Sequence, residues 1–179
     1  MSTLQVQTLQ GPTSGADSNI IRVADGHNLH AKGHVIQTVF TTSTTKTNST
    51  ATGWVANTIL DTSFTPKFSD SLIIVEVNLQ INFGSAVNTA STGGGVRIKS
   101  GSTVIGGTPT DALDIFYNRT AHASNIANLY TRLVKTVEDD SSNTGSRTYS
   151  FDTQMYTTAA FCKVGEYTPS TMTITEIAQ

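Results

Sequence analysis

One stretch constrains the fold of this chain more than any other: SLIIVEVNLQINFG, residues 71–84. In an extended backbone, Val75, Val77, Leu79, Ile81 and Phe83 fall on one face and Glu76, Asn78, Gln80 and Asn82 on the other. A helix would scatter these residues around its axis, whereas a strand puts one set toward a core and the other toward water. The run is predicted to end at Gly84.

Other segments agree. HVIQTVF (34–40), WVANTILDTSF (54–64), TTAAFCKV (157–164) and STMTITEIA (170–178) read as strands. RTYSFDTQMY (147–156) places Tyr149, Phe151 and Met155 on one face. VRIKSGSTVIGG (96–107) reads as a hairpin around Ser100-Gly101, and TPKFSD (65–70) and DDSSNTGS (139–146) read as turns. TTSTTKTNSTATG (41–53) has no apolar anchor and is expected to be a polar loop. NTASTGGG (88–95) is expected to be a flexible turn, with Gly93, Gly94 and Gly95 at a loop tip.

SNIANLYTRLVKTVED (124–139) is ambiguous. Ile126, Leu129, Tyr130 and Leu133 match the helical spacing i, i+3, i+4, i+7, while Leu133, Val134, Val137 and the neighbouring threonines favour a strand. A strand over roughly 129–138 is the expectation. About eight strands follow, and the predicted class is all-β: an antiparallel, jelly-roll-like β-sandwich.

Composition fits that class. Only 13% of residues are charged, so surface polarity comes from elsewhere: 31 Thr and 18 Ser, 49 of 179 residues. Thr is β-branched and suits a pleated, half-exposed surface. The length accommodates one domain of ordinary size with an appendage. Residues 34–179 form the expected sandwich and 1–33 an extended N-terminal arm. The arm's apolar side chains (Leu4, Val6, Leu9, Ile20, Ile21 and Val23) are too sparse for a core of their own. They are expected to bury against a neighbouring subunit, or to cover an edge of the chain's own sandwich.

The net charge is −2, and there is no basic stripe to neutralise phosphates, so nucleic acid is not an expected partner. No run of 18 apolar residues predicts a membrane-crossing helix, and MSTLQVQTLQ does not read as a secretory signal. Cys162, the single cysteine, permits no internal disulfide and reads as a small buried hydrophobe rather than a reactive thiol.

Signals for chemistry are sparse. His27, His30 and His34 lie close in HNLHAKGH. Repeated around a three-fold axis they would be weak candidates for a metal, but no cysteine or spaced carboxylate supports them, and turn histidines are the expectation. Glu138, Asp139 and Asp140, like Asp111 and Asp114, lack the spacing of a calcium loop and are expected to be solvated. There is no GxSxG elbow and no phosphate-binding loop. No catalytic residue is assigned and no cofactor is expected. Binding is better served by aromatics among polar groups. Phe116, Tyr117, Asn118, Arg119 and His122 occupy 107–128, the longest irregular-looking stretch, and are the expected receptor or neighbour contact. Packing of Phe116 and Tyr117 in the core is the rival reading. Trp54 is expected in the core rather than on a ligand platform.

Four segments, His34–Phe40, Phe64–Val77, Thr148–Tyr156 and Ser170–Ile177, resemble in order a β-sandwich domain found in bacteriophage tail-fibre and related virion proteins. The pattern is a VIQ strand, a TP turn followed by an apolar strand, a TY…Y strand, and ST.T..EI at the C-terminus. MSTLQVQTLQ and RVADGHNLHAKG are similar to the lead-in of such fibres. The resemblance implies a virion component, usually a homotrimer, joined to other virion proteins through the arm and carrying no catalytic residues. The 107–128 insertion and the lack of a long shaft depart from the family, so a short spike, tail-tip piece or capsid decoration protein fits as well. Host attachment is the leading expectation, with a cell-surface glycan as the candidate receptor. A structural clamp on capsid or tail is the alternative, and a glycan-hydrolysing enzyme the weaker one.

Overall fold

The computed structural model describes residues 31–85, 92–106, 114–118, 128–140, 142–156 and 160–179. The strands are β1 (Val35–Ser43), β2 (Thr47–Ser49), β3 (Val55–Phe64), β4 (Leu72–Ser85), β5 (Thr92–Ser100), β6 (Thr103–Gly106), β7 (Asp114–Asn118), β8 (Asn128–Asp140), β9 (Arg147–Met155), β10 (Ala160–Val164) and β11 (Ser170–Ile177). Among the described residues there is no helix. The strands form two antiparallel sheets packed face to face, the expected sandwich.

β4 is the spine of the six-stranded sheet. β8 pairs with it from Leu72 to Gly84, filling one edge. β11 takes Leu72–Asn78 and β10 takes Ile81–Ser85, so they share the other edge. β1 extends the sheet beyond β11, and β2 extends it beyond β10. In the five-stranded sheet β5 has the same role: β9 lies on one edge, β6 and β7 share the other, and β3 lies outside β9.

The core follows the period-2 pattern. Val75, Val77, Leu79, Ile81 and Phe83 are fully buried, with Leu133, Met172 and Ile174 beside them. Leu60, Phe64, Val96, Ile98, Tyr149, Phe151 and Met155 belong to the same cluster from the other sheet. Burying each such side chain contributes about 1.5–3 kcal/mol, so this interface is the main source of stability. Phe64 meets Tyr149 edge to face, with centroids 6.1 Å apart.

The strand expected over roughly 129–138 is present as β8, which alternates buried Leu133 and Val137 with exposed Tyr130, Arg132 and Val134. Other expectations need correction. The 41–53 loop holds the end of β1 and all of β2, whose residues Thr47–Ser49 lie against β10 although none is apolar. The irregular-looking 107–128 stretch contains β7. The strand total is therefore eleven among the described residues, above the expected eight.

Gly93, Gly94 and Gly95 form no loop tip; they lie within β5. A Cβ on Gly94 would stand 2.2 Å from the Gln154 carbonyl oxygen and 2.4 Å from the Phe83 ring. Glycine is used there for close approach, letting Phe83 pack over the strand. The hairpin expected at Ser100-Gly101 is present, with Gly101 at φ 59° in the left-handed region.

The water-facing side of β4 is only partly wet. Glu76 is exposed, but Gln80 and Asn82 are buried beneath the β10–β11 connection. There, Gly165 N–H donates to the Gln80 carbonyl at 3.0 Å and Tyr167 N–H to its Oε1 at 3.2 Å.

Candidate functional site

Three polar constellations stand out, and two of them are structural. The first centres on Glu176, which is fully buried in β11. Lys67 N–H donates to its two oxygens at 2.9 and 3.0 Å, Phe68 N–H donates at 3.0 Å, and Gln37 Nε2 donates at 2.6 Å. Burial alone would raise this carboxyl, but the Lys67 and Phe68 amides, with Gln37 and Ser71, outweigh it and hold the group below the usual carboxylate range. One carboxylate thus ties β1, the β3–β4 turn and β11 together. Three of the four resemblance segments meet at this point.

The second is Asp152 on β9, 2% exposed. It lies opposite Arg97 on β5. Arg97 approaches its Oδ2 at 2.8 Å through Nε and 2.7 Å through Nη2, and the Lys99 ammonium lies 2.8 Å from Oδ1. The Arg97 guanidinium stacks 4.6 Å above the Trp54 ring. Trp54 is therefore half-buried under a cation rather than in the core as expected. Burial raises the nearby Asp61 carboxyl; Lys99 opposes that shift and Asp152 adds to it. The Asp152 carboxylate is occupied by its two cations, which leaves this cluster a structural role.

The third constellation faces outward. Tyr130 on β8 is 49% exposed, and Tyr167 in the β10–β11 connection is 68% exposed. Their ring centroids lie 5.5 Å apart at a 54° tilt, with the hydroxyls 3.5 Å apart. Cross-strand register explains the assembly: Tyr130 stands opposite Asn82 and Arg132 opposite Gln80, beneath the same connection. The Arg132 guanidinium donates to Asn78 Oδ1 and, at 3.4 Å, to Thr168 Oγ1. Asn82 Nδ2 donates to Glu166 at 2.9 Å, and Lys163 pairs with Glu166 at 2.9 Å. The Lys163 and Asn82 bonds lower the Glu166 carboxyl. A shallow cleft of about 180 Å³ opens beside Tyr167, lined also by Lys46, Glu166 and Thr168. Two exposed aromatic rings, fixed hydrogen-bonding groups and a rigid sheet beneath them are the requirements of a binding surface.

Most residues expected to make contact lie elsewhere or outside the described residues. Phe116, Tyr117 and Asn118 are in β7, registered against Gly94, Gly93 and Thr92. They sit in the five-stranded sheet, not in a free loop. Arg119 and His122 lie outside the described residues, as do Leu4, Val6, Leu9, Ile20, Ile21, Val23, His27, His30 and Asp111. His34 is exposed in a turn closed by its own N–H to the Ala31 carbonyl at 2.8 Å. Among the described residues no group of three metal-ligating side chains converges. Asp139, expected to be solvated, instead accepts from Tyr149 and pairs with Arg147.

No protein-family model matches the chain, and a search of curated proteins finds no match. A solved structure of infectious bursal disease virus, Gx strain, is similar at 14% identity and a TM-score of 0.26, covering 95% of this chain and 41% of that one. The chain therefore spans less than half the length of the chain it matches. At that TM-score the likeness decides neither fold nor function.

The Tyr130–Tyr167 pair was missed in the sequence because its partners are 37 residues apart. Tyr130 lay in the segment of ambiguous period, and Tyr167 in a connection with no pattern. The available signal was a tyrosine on the polar face of a strand, where burial does not require one.

Proposed function

We propose that this chain is a non-enzymatic virion structural protein of the phage type, a short homotrimeric fibre or spike that mediates attachment to a host surface. The observation that carries the reading is the outward-facing Tyr130–Tyr167 patch with Arg132, Thr168 and Glu166, held on the six-stranded sheet. Such a surface binds by presentation rather than engulfment. The cleft beside it, about 180 Å³, is smaller than the roughly 300–1,000 Å³ of pockets that enclose a small ligand. The ordered resemblance of the β1, β3–β4, β9 and β11 segments to virion fibre domains supplies the context. In this reading the N-terminal arm joins the particle and neighbouring subunits, and the tail is its place.

A second reading, decoration or clamping of the capsid without a receptor, draws on the outward-facing apolar residues. Phe40 is 62% exposed and Val134 52% exposed on the same sheet face as the tyrosines, and both suit contact with a protein neighbour. Gold-labelled antibody on intact particles separates the two: label at the tail is expected, and label over the head would replace attachment with decoration. Light scattering on the purified protein is expected near three times 19.0 kDa, and a monomer would remove the trimer.

A further inference from the structure

We infer that the Tyr130–Tyr167 patch is a subsite for an acidic saccharide, a pyranose bearing a carboxylate; this rests on the attachment reading above. The two tyrosines provide apolar ring faces against which the C–H face of a sugar stacks. Asn78, Glu166 and Thr168 set fixed donors and acceptors for hydroxyls beside them, and buried Asn82 holds Glu166 in place from below.

The charge decides the class of sugar. Arg132 reaches Thr168 beside Tyr167, Lys46 lines the cleft with Tyr167, and Lys163 completes the cations around the connection. Glu166 is the acid among them, and it is paired with Lys163. Arg132 is held by neutral groups, Asn78 and Thr168, and keeps its full positive charge for a ligand. The patch is therefore net positive on a chain whose overall charge is −2. A neutral glycan would leave that local excess unused, whereas a sugar carboxylate beside Arg132 makes a charge-assisted hydrogen bond. Uronic and sialic acids share this chemistry.

The test is affinity electrophoresis of the full chain in gels containing polygalacturonate, polysialic acid or neutral dextran. Retardation in one or both acidic gels, weakening with added salt, and none in dextran is the expected result. Which acidic gel retards the protein identifies the sugar. Tyr167→Ala and Arg132→Gln should each weaken the interaction at least about tenfold. Thr136→Ala, on the same sheet face but beside Glu76, should leave it unchanged. Equal retardation in dextran, retardation in no gel, or wild-type behaviour of both variants would overturn the assignment. Melting curves confirm that each variant is folded. Failure here leaves the gold-label result standing, so loss of the sugar and loss of the attachment reading are separate outcomes.

Discussion

The Tyr149 hydroxyl donates to the Asp139 carboxylate at 2.7 Å, joining β9 of one sheet to β8 of the other. Tyr149 is fully buried, and Arg147 lies 3.5 Å from the same carboxylate oxygen. Burial first, then the Asp139 bond and charge, push the phenol well above its ordinary value. A raised pKa means that folding favours the neutral phenol. Its contribution is present below the unfolded value near 10 and is lost as pH rises beyond it. Tyr149→Phe should cost about 1.5–3 kcal/mol in urea unfolding at neutral pH, because the bond is to a charged acceptor. The variant should also lose part of the alkaline destabilisation. Equal stability of the two proteins would show that the bridge contributes nothing net.

Glu176 carries the opposite pH dependence. Its carboxyl is held below the usual range, so its stabilising effect is present above the unfolded value near 4.3 and is lost as pH falls through the lower folded value. Thermal melting between about pH 2 and 5 should show this loss in the wild type and a flatter profile in Glu176→Gln. Glu176→Ala should cost about 3 kcal/mol at pH 7, since it removes the acceptor of the part-buried Lys67 and Phe68 amide bonds. An unchanged acid profile in Glu176→Gln would assign the acid sensitivity to other carboxylates.

Gly94→Ala tests the close approach of Phe83 to β5. A methyl group at that position meets the Gln154 backbone oxygen, which cannot swing aside as a side-chain tip would. Destabilisation of about 2–4 kcal/mol is expected from overpacking, measured by denaturant midpoint. Relief by Gly94→Ala combined with Phe83→Leu would be small, because the backbone clash remains. Full rescue by that pair would show that the ring alone sets the requirement.

Cys162 is 1% exposed on β10, and burial pushes its thiol up to about 12. Thiolate is the reactive form. The native protein should therefore resist thiol reagents at pH 8 and react stoichiometrically once unfolded. Rapid labelling of the native chain would mean that β10 opens readily.

Periodicity made the sandwich legible. Residues 71–84 alternate so strictly that Val75 to Phe83 had to line a core, and Tyr149, Phe151 and Met155 supplied the facing layer. Where alternation was weak, the sequence misled. Thr47–Ser49 has no apolar residue, because β2 pairs its backbone with β10 rather than burying side chains. Gly93–Gly95 had the composition of a turn, yet the missing side chain at Gly94 makes room for the ring of Phe83. The terminal Glu176 belonged to a recognisable pattern, but its purpose required the β3–β4 turn, more than 100 residues distant, to fold over it.

By itself the sequence determined the class of fold, the strands with a clear two-residue period, the hairpin at Ser100-Gly101 and the burial of Cys162. These are local or one-dimensional properties: which face of a strand is apolar does not depend on its neighbour. Tertiary structure alone decided that β4 and β5 are the spines, that Asp152 is enclosed by Arg97 and Lys99, and that Tyr130 meets Tyr167. Polar pairings of that kind depend on cross-strand register and on connections laid over a sheet. Many partners of similar chemistry are available along a Thr-rich chain, and only the packed backbone selects among them.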